Sequence, residues 1–258
     1  VLLCLLGASL GLYGAQQLQS RPAASLRPGE PLFVDIWRID ARDYPREVRL
    51  FVRIRDGRGT PITHLAPPYA PELWRQHWQS LSEQLGLSHV PIDSFTVREF
   101  NEWDTLGYAL ALLLDYSGSI TPVLSLVQKA ARAFIELKKP ADILAVASFS
   151  ERMELLAPPQ RETHLLVTAF EHARYRGIGG YTALYDALLR GIELLQTMEA
   201  PVRVLLLFSD GDDNASQTTA LQVYEAAQAA GVLIFPIGFG YTQDSVLAAL
   251  AAYTGGRY

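Results

Sequence analysis

The chain has 258 residues, 49% of them apolar and 19% charged, and its 22 Lys plus Arg against 27 Asp plus Glu give a formal net charge of −5. Such a chain buries a core in one or two domains, is not disordered throughout, and carries no footprint of a nucleic-acid binder beyond small basic patches. Its one cysteine, Cys4, excludes an internal disulfide framework and a Cys-rich zinc site.

Taken in chain order, Val1 to Ala15 is a charge-free apolar run that ends at the polar residues Gln16, Gln17 and Gln19. It is shorter than the roughly 20 residues of a membrane span. It reads as the apolar part of an export signal, or the end of a membrane anchor, over residues 1–19. Cys4 is no lipidation site on this reading, because Leu2 and Leu3 stand where a small residue is needed. Residues 20–30 are rich in Pro, Ser and Ala and read as a linker. Residues 31–105 read as a small β-rich module, a sandwich. Strands are predicted at Leu32–Ile39, Glu47–Arg55 and Ser94–Phe100. In Glu47–Arg55, Val48, Leu50, Val52 and Ile54 alternate with Arg49, Phe51, Arg53 and Arg55. Asp56-Gly57-Arg58-Gly59 supplies turn chemistry before a return strand from Thr60 to Thr63. A helical insertion is predicted near 71–87, where Leu73, Trp74, His77, Trp78, Leu81 and Leu85 share one face. That face packs its tryptophans on the module, or else offers them to a partner.

From Leu106 the pattern becomes alternating strands and helices. Strands are predicted at Tyr108–Leu114, Asp142–Phe149, Val202–Phe208 and Val232–Gly238, with a short edge strand at Arg152–Leu156. Helices are predicted at Pro122–Leu137, Arg161–Ala173, Ala183–Met198, Gln217–Ala230 and Asp244–Tyr253. Nearly continuous apolar strands between helices imply an α/β fold, a doubly wound and mostly parallel sheet over residues 106–258. Gly255-Gly256-Arg257-Tyr258 reads as the approach to one more strand, so the domain is expected to continue.

In such a sheet, ligands bind at the carboxyl ends of the strands, where strand order reverses. Asp115-Tyr116-Ser117-Gly118-Ser119 follows one buried run, and Ser209-Asp210-Gly211 follows another. Alternation in an extended loop lets Asp115, Ser117 and Ser119 face one point. A third loop, Gly177-Ile178-Gly179-Gly180-Tyr181-Thr182, brings a hydroxyl to the start of a helix. An all-oxygen set with two carboxylates suits a hard cation such as Mg²⁺ rather than zinc.

These three loops resemble the metal-ion-dependent adhesion site of von Willebrand factor type A domains: the D-x-S-x-S motif, the Gly-Gly-x-Thr loop and the second aspartate loop. The resemblance covers about Leu106 to Tyr258. It implies that Ser117, Ser119 and Thr182 are hydroxyl ligands and that Asp115 and Asp210 act directly or through water. It implies Mg²⁺, with Mn²⁺ or Ca²⁺ as substitutes, and an open position taken by an Asp or Glu carboxylate of a protein partner. Tyr116, Tyr181, Gly211 and Asp212 are the expected partner-facing residues. A looser resemblance links the whole chain to secreted bacterial proteins in which an immunoglobulin-like module precedes the A domain. Export would place the A domain outside the cytoplasm, with the N-terminal segment at a membrane.

Each of these residues has a plainer use, since Asp115, Asp210, Ser119 and Thr182 could all cap helices. Capping does not explain why all five gather. Asp210-Gly211-Asp212-Asp213-Asn214 is no EF-hand, because Ala215 and Leu221 stand at its Gly and Glu positions. Asp212 and Asp213 are expected at an acidic rim or capping the helix beyond. The five histidines show no ligand spacing. Two other functions stand beside a binding module. One is a cytoplasmic subunit working with an ATPase. The other is a Mg²⁺-dependent phosphoryl-transfer enzyme, disfavoured because Ser117 replaces the second carboxylate of an Asp-x-Asp pair and no Lys or Arg lies in the three loops.

Overall fold

The computed structural model describes residues 2–6, 21–41, 44–67, 70–100 and 107–258. They fall into two compact units, Val1–Asp104 and Thr105–Tyr258.

The first unit contains β1 (Leu2–Leu6), β2 (Arg21–Pro22), β3 (Leu32–Asp40), β4 (Arg49–Asp56), β5 (Ile62–Thr63), α1 (Trp74–His77), β6 (Ser82–Leu85), β7 (Ser88–Pro91) and β8 (Thr96–Phe100). One four-stranded sheet has the order β3-β4-β1-β8, and β2-β5 and β6-β7 are separate two-stranded ladders. The described residues thus form one larger sheet and two small ladders where two facing sheets were expected. Leu2–Leu6, from the apolar run, pairs in parallel with β4 and β8. The rest of the proposed signal or anchor lies outside the described residues.

Two expectations change here. The segment expected as a linker is tied down, because the Arg21 guanidinium reaches Glu30 at 2.7 Å and Asp56 at 2.9 Å. The helix expected over residues 71–87 covers only Pro71–His77, counting a 3₁₀ turn at Pro71–Leu73. Beyond it Gly86, with φ of 62°, sits in a two-residue turn that pairs Leu85 with Ser88. Positive φ at the first turn position is what a tight hairpin requires and what glycine supplies without strain. Local turn chemistry therefore overrides the helical spacing. Trp74 and Trp78 pack against the buried cluster of Val52, Ile54, Leu65 and Val97, and Trp74 lies 5.4 Å from the Phe95 ring.

The second unit contains β9 (Tyr108–Asp115), α2 (Leu124–Leu137), β10 (Ile143–Phe149), β11 (Met153–Gln160), α3 (Thr163–Ala173), α4 (Leu184–Gln196), β12 (Val202–Ser209), α5 (Ala220–Ala230), β13 (Val232–Gly238) and α6 (Asp244–Thr254). Its sheet has the order β11-β10-β9-β12-β13, with only β11 antiparallel. Ala109, Ala111 and Leu113 of β9 pack with α4, α5 and α6. By alternation, Leu110, Leu112 and Leu114 face the opposite side, and these residues are buried too. Cover on both faces is why β9 reads as an unbroken apolar run. α2 buries Val127, Ala131 and Ile135, one stripe at four-residue spacing. α5 starts later than expected because Thr219 and Gln222 form a reciprocal capping box, and it ends at Gly231. Among the described residues no helix is long and apolar enough to cross a membrane.

The chain runs from β9 outward through β10 to β11, then returns to place β12 on the other side of β9. The carboxyl ends of β9 and β12 therefore flank the point where strand order reverses. Leu113 is 0% exposed at the centre of this sheet, whereas Leu137 is 69% exposed. Leu113→Ala should cost about 2–5 kcal/mol in urea unfolding through the cavity it leaves, and Leu137→Ala less than about 0.5 kcal/mol. Equal costs would contradict this placement of the core.

Candidate metal centre

Asp115 is the last residue of β9 and Ser209 the last of β12, and Phe208 is in register with Leu114. The Ser209 hydroxyl donates to Asp115 Oδ2 at 2.6 Å, and the Ser117 amide donates to Asp115 Oδ1 at 2.9 Å. Asp115 is fully buried. Loss of water pushes its carboxyl up to about 6; hydrogen bonds from Ser117 and Ser209 pull it back, and the nearby Asp210 charge adds to the rise.

The loop after β9 and the glycine loop before α4 are in contact. The Gly179 amide donates to the Tyr116 carbonyl at 3.1 Å. A Cβ added at Gly118 would stand 3.2 Å from the Gly180 carbonyl oxygen. Ser117 Oγ lies 3.2 Å from Ser119 Oγ. Thr182 is buried, and its amide donates to Asn214 Oδ1 at 2.9 Å. Asp210 is also buried; its Oδ1 accepts the Asp212 amide at 3.1 Å, while its carbonyl accepts the Gln243 amide at 2.6 Å. The Thr182 hydroxyl and Asp210 Oδ2 have no hydrogen-bond partner among the described residues.

The predicted ligand residues thus sit on three loops that touch one another at the carboxyl ends of adjacent strands. The predicted partner-facing set divides. Tyr181 is 65% exposed and Asp212 half-buried, as a surface role requires. Tyr116 is only 1% exposed, so it cannot face a partner; its hydroxyl accepts from Gln128 Nε2 at 3.3 Å. It turns inward because alternation along the loop points Asp115 and Ser117 the other way. Gly211 is buried as well, with φ of 87° and Leu247 beside it, and serves the bend of the backbone.

Two useful residues escaped the sequence reading. Ser209 stands beside Asp210, and its inward hydroxyl at the strand end is the natural donor to the buried Asp115 carboxylate. Glu151, in the turn between β10 and β11, accepts the Gly180 and Tyr181 amides at 3.2 and 3.1 Å and braces the glycine loop. Nothing in the local sequence around Glu151 signals that contact.

The donors suit a hard cation, being hydroxyl and carboxylate oxygens only. Among the described residues no group of three or more His, Cys, Asp or Glu gathers as a cluster, so an ion here would need hydroxyls and water beside the two carboxylates.

Residues 110–212 match the family model of the von Willebrand factor type A domain. The chain's five-stranded, mostly parallel sheet is the central sheet of that domain. A von Willebrand factor type A protein from Catenulispora acidiphila shares the fold, with a TM-score of 0.51 and 17% identity over 58% of this chain and 37% of that one. An aerotolerance-related membrane protein from Bacteroides fragilis, with multiple mutations to serines, scores 0.48 at 14% identity over 59% of this chain and 90% of that one. The manganese-loaded TRAP protein of Plasmodium vivax scores 0.46 at 18% identity over 57% and 63%. No curated protein matches the sequence.

The raised carboxyl of Asp115 gives the metal-free protein a distinct pH response. The folded state holds that proton more tightly than the unfolded chain, where the group titrates near 3.8. Its contribution to stability is therefore complete below about pH 4 and disappears as pH rises through about 6. Comparing urea unfolding of wild type and Asp115→Asn, the difference should move in favour of the variant by up to about 3 kcal/mol across that window. A difference that stays flat from pH 4 to 7 would contradict the burial described.

Proposed function

We propose that this protein is a metal-ion-dependent protein-binding module whose ion is Mg²⁺, with Mn²⁺ or Ca²⁺ as substitutes. Domains of this family are generally protein-interaction or adhesion modules rather than enzymes. The observation that carries the reading is that Asp115, Ser117, Ser119, Thr182 and Asp210 lie on three touching loops, the Thr182 hydroxyl and Asp210 Oδ2 having no hydrogen-bond partner among the described residues. Ser117, Ser119 and Thr182 would hold the ion as neutral donors, with Asp115 and Asp210 binding directly or through water.

The bound ion supplies positive charge at the surface. If Asp115 and Asp210 bind through water, the ion keeps more of its charge than it would with both carboxylates bound directly. A partner's Asp or Glu carboxylate would replace a water there and form a charge-assisted contact. Tyr181, which is exposed, and Asp212, which is half-buried, would meet the partner. The net charge of −5 opposes an acidic partner at long range, but screening limits that beyond about 8 Å at physiological salt. Residues 1–19 suit export or anchoring, which would set the A domain outside the cytoplasm.

Saturating Mg²⁺ should raise the melting temperature of wild type, by an amount equal to about 2.7 kcal/mol at a hundredfold excess over Kd. Thr182→Ala and Asp210→Ala should lose that rise, and partner binding should vanish in EDTA. An unchanged melting curve together with no heat of Mg²⁺ binding would remove the basis of the proposal.

A further inference from the structure

Ala183, the residue before α4, provides no side-chain cap for that helix. The free amides of its first turn are met from a distant loop instead. Leu184 donates to Asp213 Oδ1 at 2.9 Å, and Tyr185 and Asp186 donate to Ser216 Oγ at 3.0 and 3.2 Å. Ser216 Oγ in turn donates to Asp213 Oδ1 at 2.5 Å. The exchange is reciprocal, because the Asp186 carboxylate accepts the Gln217 and Thr218 amides at 3.1 and 2.8 Å. At the head of this clasp, both backbone groups of Thr182 are tied. Its amide donates to Asn214 Oδ1 at 2.9 Å, and its carbonyl accepts the Asn214 and Ala215 amides at 2.9 and 3.0 Å.

We propose that Asp213, Asn214 and Ser216 are positioning residues that lock the Thr182 hydroxyl in register with Asp210 and so set the affinity for a divalent cation. The inference rests on the metal-binding reading above. Its physical basis is the short chain path: Asn214 is four residues beyond Asp210, and Asp210 already holds the intervening Asp212 amide at 3.1 Å. A ligand whose backbone is tied at both its amide and its carbonyl has little freedom left to lose when an ion binds. Removing the tie charges that ordering cost to binding. Supporting groups behind metal ligands typically change affinity 10–100-fold when removed.

The competing account is that Asp213 acts only through its negative charge, attracting a cation at short range. The two differ in what Asn does at position 213. Asp213→Asn keeps the accepting oxygen and removes the charge, whereas Asp213→Ala removes both. Asn214→Ala removes an acceptor with no change of charge. Mn²⁺ titration followed by electron paramagnetic resonance on the full chain reads the affinity. The expected result is a 10–100-fold loss for Asn214→Ala and Asp213→Ala, with Asp213→Asn within about threefold of wild type. Amide exchange in the metal-free protein supplies a readout that needs no ion: Thr182 and Leu184 should be protected in wild type, and Thr182 should lose protection in Asn214→Ala. Equal Mn²⁺ affinity in wild type and Asn214→Ala would overturn the positioning role while leaving the metal site standing. Losses in Asp213→Asn as large as in Asp213→Ala would overturn it in favour of charge. Absence of Mn²⁺ binding in wild type would remove the metal-binding reading and this inference together, even with Thr182 protected.

Discussion

The hydroxyl of Ser209 donates to Asp115 at 2.6 Å across the ends of the two strands between which the chain reverses its order. A carboxylate without water is costly, and every donor aimed at it restores part of that cost. Ser209 and the Ser117 amide fill that need from different loops, so the burial of one side chain fixes the relation of both. The strand register behind them, with Phe208 opposite Leu114, leaves little latitude for the loops to separate. The rest of the candidate centre is built outward from this contact.

The outer parts are held mainly by backbone groups. The Gly179 amide, the Gly118–Gly180 approach and the two amides on Glu151 bring the glycine loop against the loop after β9. Little side-chain volume is used, so room is left for small hydroxyls to face one point. The centre has two carboxylates and several neutral oxygens.

The unit Val1–Asp104 shows how a short polar and aromatic segment is anchored. Glu99 is buried and accepts the His64 and Ala66 amides at 2.8 and 3.2 Å. Trp74 and Trp78 lie partly covered on the cluster that includes Val52 and Val97, which gives these tryptophans a packing role. Arg21 ties the Pro-rich segment to Glu30 and Asp56. Composition marked that segment as a spacer because composition does not report a partner 35 positions away.

What the sequence by itself determined is the alternation of strands and helices from Tyr108 onward and the residue types at the strand ends. Both follow from local rules: a strand covered on two faces must be apolar throughout, and a ligand loop must begin where the strand stops. That rule is how the sequence points to Asp115, Ser117, Ser119 and Asp210 as candidates, and the glycine loop before α4 adds Thr182. The tertiary structure alone decided which neighbours complete them. Asp213 satisfies the start of α4, which precedes it by 29 positions, and does not cap α5, because Thr219 and Gln222 already do so. Tyr116 lies inside because alternation must hide one side chain of the loop when its neighbours face the site. Gly86 turned an expected helix into a hairpin, since one positive φ outweighs several apolar residues at helical spacing. Hydrogen bonds between loops depend on where strands place them in space, and linear spacing carries no record of that.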